Sequence, residues 1–414
     1  MAAHIEQETS QGFRWIEDQE SFDQLIDSLL RADRYALDTE FHRERSYFPK
    51  LALLQLASES GEVSLVDPLR VDLSSLRTLF AAPAVAVLHA AQQDFDVLAH
   101  ACGAVPGRLF DTQLAAGFLG YSTPSLVALL HGELRIAAAK GDRLTDWLRR
   151  PLTLEQQRYA ASDVAHLLLL QDRLVDQLAA LGRVEWVDAA CEELRLRPAS
   201  GTAPDDAWAR LKDIRVLKPR ARGVAQAVAA WRERRAMASD VPVRQVLPDL
   251  AVLGIAQKQP RTVSELAQAR GVDDRHTRGA IAKEILEAVE AGAQRDAVLP
   301  VGEADDLDRN LRPAVALVSA WVGDLARRAR LDPALVATRS DVVAVLRGDE
   351  SARLAHGWRA ELVGDDVRDL INGEAALTFD RRGGLRLVRT AGDPPDGRSG
   401  VSRRAPLSAD AHDR

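Results

Sequence analysis

The chain has 414 residues, enough for two or three domains, and is 46% hydrophobic and 28% charged, the balance of a globular protein with more than one core. No run approaches the roughly 18–20 uncharged apolar residues that span a bilayer, and the opening MAAHIEQETSQGFRW lacks the basic-then-apolar pattern of an export signal. Two cysteines, Cys102 and Cys191, without CxxC spacing argue against a disulfide framework or a zinc cluster, and a formal net charge of −7 argues against a uniformly basic nucleic-acid binder. A cytoplasmic, monomeric protein that does not engage membranes is the expectation.

After a short tail, residues 1–12, the stretch Ser21–Leu30 has the period of an amphipathic helix. Tyr35–Asp38, Leu51–Ala57, Val63–Val66 and Val85–Leu88 are short apolar runs bounded by turn or charged residues, hence strands, with Asp67-Pro68 as a stop after the third. A helix over Gln92–His100 and a strand at Leu109–Asp111 follow. Helices are then expected at Thr112–Leu119, Ser125–Leu130 and Leu144–Leu148, with one long helix from Leu154 to about Leu178. Strands met in succession before the first crossover helix predict antiparallel pairing beside parallel strands, a mixed α/β sheet. This region closes at about residue 197.

Residues 198–206, PASGTAPDD, read as a linker. Residues 205–292 give four or five short helices broken at Lys218-Pro219, Val241-Pro242 and Leu247-Pro248. A second, acidic linker over 295–306 leads into another helical set within 305–380. Each set opens near a Trp-bearing amphipathic helix, Trp231 and Trp321, as in a diverged repeat. From Thr390 the tail has little to bury, and 390–414 is expected to be disordered.

Three short stretches carry chemistry. In Leu37-Asp38-Thr39-Glu40-Phe41, at a strand end, Asp38 and Glu40 share a face because side chains alternate along a strand. Two adjacent carboxylates repel unless a cation lies between them or one is protonated, and hard oxygen ligands suit Mg²⁺ or Mn²⁺. In His89-Ala90-Ala91-Gln92-Gln93-Asp94-Phe95-Asp96, a strand feeds a helix whose first turns hold Asp94, at the end of the sheet where ligands bind. Asp96 is the confounder, turned about 200° away by its offset of two residues. In Tyr159-Ala160-Ala161-Ser162-Asp163 the i, i+4 spacing puts the phenol and the carboxylate on one helical face. Each stretch has a bland reading: loop entry, helix capping, partly exposed acid.

Their order and spacing are less easily dismissed. DTEF, HAAQQDFDVL about 50 residues on and YAASD about 65 further resemble the three exonuclease motifs of the DEDDy superfamily. The runs DTEFHRERSYFPKLALLQLA, FDTQLAAGFLG and TDWLRRPLTLEQQRYAASDVAHLL resemble the ribonuclease D family, in which helical HRDC domains follow the nuclease. The resemblance implies an RNase H-like α/β mixed-sheet exonuclease domain at 13–197, then two all-α HRDC-like domains. It implies that Asp38, Glu40, Asp94 and Asp163 bind two divalent ions, Mg²⁺ or Mn²⁺. Tyr159 would orient the attacking water, since a phenol with a pKa near 10 is a poor base at neutral pH. Products would be nucleoside 5′-monophosphates released from 3′ ends, and substrates tRNA precursors and other small structured RNAs.

Thr39 and Phe41 are candidate substrate contacts, the first through its backbone and the second by stacking on a terminal base. Gln55 and Asp111 read as supporting residues, and Lys140 and Arg143 as candidate phosphate contacts. Residues 207–244 hold ten Lys/Arg and three acids, a local charge of +7 in an acidic chain. Arg210, Lys212, Arg215, Lys218, Arg220 and Arg222 are candidates to hold RNA by its phosphates. The same motifs serve DNA 3′→5′ exonucleases, and a chain with the fold but no activity would be an RNA-binding scaffold. All five motif positions carry competent residues.

Overall fold

The computed structural model describes residues 12–137, 145–197, 203–298 and 311–389. The expected tails, parts of both linkers, and Lys140, Arg143 and Leu144 lie outside the described residues. The chain divides into two units, Met1–Asp306 with Ala326–Thr338, and Leu307–Leu325 with Arg339–Arg414.

The first unit is built on a six-stranded sheet. Its strands are β1 (Arg14–Ile16), β2 (Arg34–His42), β3 (Lys50–Ala57), β4 (Val63–Val66), β5 (Val85–Leu88) and β6 (Leu109–Asp111), in the order β1-β4-β3-β2-β5-β6. β3 is antiparallel to β2 and β4, while the pairs β1–β4, β2–β5 and β5–β6 are parallel, the mixed sheet the sequence predicts. Helix α1 (Gln19–Leu29) starts on Asp18, whose side chain accepts from the Ser21 amide, and buries Phe22, Leu25, Ile26 and Leu29 at helical spacing. Helix α2 (Leu76–Ala81) precedes β5, α3 (Gln92–Cys102) follows it, and α4 (Thr112–Gly117) and α5 (Leu126–Leu129) come after β6.

The pairing of β2 sets up everything that follows. Tyr35, Ala36 and Leu37 are fully buried, but β5 pairs only with Arg34–Ala36. β2 therefore runs beyond its parallel neighbour. From Asp38 onward only β3 is bonded to it, and polar side chains begin where one edge becomes free of the ladder.

The expected long helix is two helices, α6 (Leu154–Val164) and α7 (Leu167–Ala180), broken at Ala165–His166. The two pieces have largely different partners: α6 crosses β2, β3 and β4, whereas α7 packs on α4 and β5 and only touches β2. The break lets each apolar face meet its own surface, and no Gly or Pro announces it. Helix α8 (Val184–Arg195) follows. The expected helix near Leu144–Leu148 is a turn over its described residues.

The first helical block also departs from the expectation of short helices. Two 3₁₀ turns, Pro204–Arg210 and Ile214–Val216, lead into a 21-residue helix α9 (Pro219–Ser239), with Pro219 in the first turn. Then come α10 (Val243–Val246), α11 (Asp249–Lys258), α12 (Val263–Ala267) and α13 (Gly279–Ala293). Their core includes Trp208, Leu217, Val224, Val228, Leu247, Val252, Ile255 and Ile285. At the crossing of α9 and α13 the backbones meet, and a Cβ on Gly223 would lie 2.4 Å from the Gly292 carbonyl oxygen. The second unit contains most of the helix Arg312–Ala329, with Arg339–Leu346 and Asp365–Asn372, and ends in an antiparallel hairpin, β7 (Ala375–Phe379) with β8 (Leu385–Arg389). The sequence pattern predicts only helices there.

The nuclease sheet and the first helical block are joined at the loop after β2. Asp240, at the end of α9 in the left-handed region (φ 49°), accepts from the backbone amides of Tyr47 and Phe48, each at 3.1 Å. The Tyr47 hydroxyl donates to Glu233 at 2.7 Å, and the Phe48 ring stacks on His100 with centroids 4.1 Å apart. Glu233 and Asp240, two of the three acids within the basic segment, are thus spent on this loop. Asp240→Ala is expected to strip two amides of their acceptor and cost about 1–3 kcal/mol, with faster hydrogen exchange over residues 43–49, read by urea unfolding and mass spectrometry.

Candidate active site

Asp38 and Glu40 leave β2 on one face, and α6 brings Asp163 to them. One ligand oxygen from each of the three carboxylates lies within 4.8 Å of the other two. Helix α6 is fixed at its start by a capping box, in which Thr153 accepts from the Gln156 amide at 3.2 Å and Gln156 accepts from the Thr153 amide at 2.8 Å. That start sets the phase of the helix, so that Tyr159 and Asp163, one turn apart, face the strand end, with the phenol near enough to Asp163 to favour its charged form.

Asp94 stands in the first turn of α3, buried, outside the three-carboxylate set. Its Oδ1 accepts from the Thr39 hydroxyl at 2.5 Å, and its charge is felt at both Asp38 and Glu40. The approach to α3 is held by Asp111, whose carboxylate accepts from the amides of Ala90, Ala91, Gln113 and Leu114. Ala90 has a positive φ of 62°, unusual for a residue with a Cβ, and Asp111 supplies the bonds that hold it. The supporting role expected of Asp111 fits this geometry. Asp96, also buried, pairs with Arg43 at 3.5 Å and does not join the cluster.

The secondary candidates divide. Thr39 is buried with its hydroxyl committed to Asp94, so its side chain is not open to a substrate. Phe41 is half-buried under the Arg43 guanidinium, 5.0 Å from the ring centroid. Gln55, fully buried across the ladder from Asp38, donates to its Oδ2 at 3.4 Å. Arg210, Lys212, Arg215, Lys218 and Arg220 are exposed on the helical block, while Arg222 is half-buried and donates to the Leu217 carbonyl at 3.3 Å. Sequence reasoning passes over Trp147, whose ring stacks against Tyr159 with centroids 6.2 Å apart and planes at 27°. Its signal lies in the run TDWLRRPL, which resembles the family but gives the tryptophan no role of its own.

Burial governs the electrostatics, with crowding of like charges added to it at Asp38 and Glu40. Burial raises Asp38 well above the usual carboxylate range, with the charges of Asp94, Asp163 and Glu40 adding to it. Burial, then Asp163 and Asp94, push Glu40 up to about 8. Asp94 and Asp163 are each pushed up to about 7 by burial, against the opposing hydrogen bonds from Thr39 and Tyr159 respectively. The Tyr159 phenol is raised by burial and by the neighbouring carboxylates, so it stays a donor at neutral pH. An oxygen-only donor set driven toward protonation by burial and by the repulsion within it fits a hard divalent cation, which would discharge it.

The mixed sheet, the acidic cluster at the free edge of β2 and the helical block behind it define a 3′→5′ exonuclease with an appended HRDC domain. Residues 13–179 match a family described as 3′-5′ exonuclease, and residues 221–289 match the HRDC domain. Ribonuclease D of Jannaschia sp. (strain CCS1) is 38% identical over 358 residues, 82% of this chain and 90% of the relative. That of Acidiphilium cryptum (strain JF-5) is 37% identical over 376 residues, 87% of this chain and 94% of the relative. The crystal structure of Escherichia coli RNase D, described as an exoribonuclease involved in structured RNA processing, superposes with a TM-score of 0.78 at 27% identity, over 87% of this chain and 99% of that one. The chain belongs to the ribonuclease D family and is a 3′→5′ exoribonuclease. No helix among the described residues is long and apolar enough to cross a membrane.

A pH dependence follows. With folded-state values near 7 to 8, the folded chain holds protons that the unfolded chain has released above about pH 4. The stability these groups lend is present below about pH 4 and lost as pH rises through 7 to 8. Metal competes with those protons. In EDTA, the Tm of the wild type is expected to fall from about pH 6 to about pH 8.5 relative to Asp163→Asn. Mg²⁺ at about 100 times its Kd is expected to restore about 2.7 kcal/mol at the higher pH and less at the lower, read by thermal melts.

Proposed function

We propose that Asp38, Glu40, Asp94 and Asp163 hold two divalent ions, Mg²⁺ or Mn²⁺, and that the site trims the 3′ ends of tRNA precursors and other small structured RNAs, releasing nucleoside 5′-monophosphates. The observation that carries this reading is the convergence of Asp38, Glu40 and Asp163, with Tyr159 beside the cluster. When bound, the ions supply charge neutralisation at the scissile phosphate and lower the pKa of the attacking water.

The chain's own residues do the rest. Tyr159, kept protonated, orients the water by hydrogen bonding and does not take its proton. Thr39 fixes the rotamer of Asp94. Phe41, at the mouth, offers a ring face to the terminal base. On the helical block, Arg210, Lys212, Arg215, Lys218 and Arg220 are exposed, and Glu233 and Asp240 are turned to the nuclease loop. Arg232 and Arg235 are not part of that surface, being paired with Asp249 and Glu284. The described role of the Escherichia coli relative in structured RNA processing supports the substrate class.

Digestion of a 3′-extended tRNA precursor with Mg²⁺ and with EDTA tests metal, direction and substrate together. Asp163→Ala is expected to lower the Mg²⁺-dependent rate by more than about 10³-fold; unchanged digestion would remove the site assignment. Faster degradation of DNA than of RNA of the same sequence would favour a DNA exonuclease.

The basic surface has its own test. Lys218→Ala with Arg220→Ala is expected to weaken binding of the structured precursor and to reduce the slope of log K against log salt by about one for each phosphate no longer neutralised. Cleavage of a short unstructured RNA should be unaffected. Equal loss on both substrates would place these residues in the fold and not against RNA.

A further inference from the structure

The geometry points to Arg150 as a positioning residue that ties the metal-binding strand to the water-orienting tyrosine, an inference that rests on the site reading above. Arg150 stands between two things the site needs fixed. One is a β-bulge in β3. The ladder passes from Glu40 opposite Leu53 to Phe41 opposite Leu51, so Ala52 has no partner across from β2. A bulge bends its strand and re-aims the side chains beside it, and this one sits directly beside Glu40. The other is Trp147, whose ring backs Tyr159.

The guanidinium reaches both. Its Nη2 donates to the Ala52 carbonyl at 2.7 Å, supplying a donor for the bulged residue. Its Nη1 donates to the Trp147 carbonyl at 2.7 Å and to that of Arg149 at 3.1 Å. Nε and Nη2 grip Asp67 bidentately, both at 2.7 Å, and Asp67 is almost fully buried at the end of β4. The five N–H donors of an arginine match these five contacts, and their planar fork fixes the directions. A lysine, with three donors on one atom, cannot reach them together. One side chain therefore links the end of β4, the bulge opposite the metal-binding strand, and the turn that places Trp147 under Tyr159.

A plain structural rivet would affect stability alone. A positioning residue predicts a different pattern. In Arg150→Lys, Mn²⁺ binding to the metal-free protein by titration calorimetry is expected to weaken about 10-fold or more, and kcat on a short RNA to fall about 10²-fold with KM held within about twofold. Trp147→Leu keeps Arg150 and its bond to the bulge. It is expected to lower kcat while leaving Mn²⁺ affinity within about twofold of wild type. Either quantity staying within about twofold of wild type in folded Arg150→Lys overturns the inference. If Arg150→Lys does not fold, Trp147→Leu at wild-type kcat overturns it. Asp163→Ala run alongside separates the cases: its retained activity would sink the site reading itself, whereas an inactive Asp163→Ala beside a wild-type-like Arg150→Lys sinks only the role of Arg150.

Discussion

The burial of neighbouring carboxylates is the constraint on which this structure turns. Asp38, Glu40 and Asp163 converge with Asp94 close by, and burial drives each toward its protonated form. Such a cluster is costly to fold, because a group that burial disfavours must either take a proton or find a cation. The surrounding architecture reads as a means of holding it in place. Thr39 ties down one carboxylate and Gln55 another.

The sheet makes room for this arrangement by a mismatch of strand lengths. β5 stops pairing at Ala36 while β2 continues to His42, and the acids begin within two residues of the end of that pairing. The helices that complete the site come from far along the chain, so each needs its own device for phase: Asp111 for α3 and the Thr153 capping box for α6. Neither device touches the cluster. Both decide which side of a helix faces it.

Much of this is legible in the sequence, for identifiable reasons. A period of two places Asp38 and Glu40 on one face, and a spacing of four pairs Tyr159 with Asp163. The choice of Asp94 over Asp96 rests on the family resemblance, and helical rotation adds only that the two point apart, as their separate partners Thr39 and Arg43 also have it. What stays hidden depends on neighbours distant in sequence. The break at Ala165–His166 follows from two packing surfaces, with no breaker residue to signal it. β1 has only three residues, too few for alternation to register. Glu233 and Asp240 count in the sequence as dilution of a basic segment, when they are the anchors of a loop on another domain. The bulge at Ala52 leaves no mark in an unbroken apolar run.

The loop after β2 carries a thermodynamic consequence. A seven-residue connection is ordinarily free to move, and fixing it costs roughly 1–2 kcal/mol per backbone residue. Here Asp240 and Glu233 hold the loop from the helical block before any substrate arrives. The ordering cost falls on folding, where the buried surface of two domains can offset it.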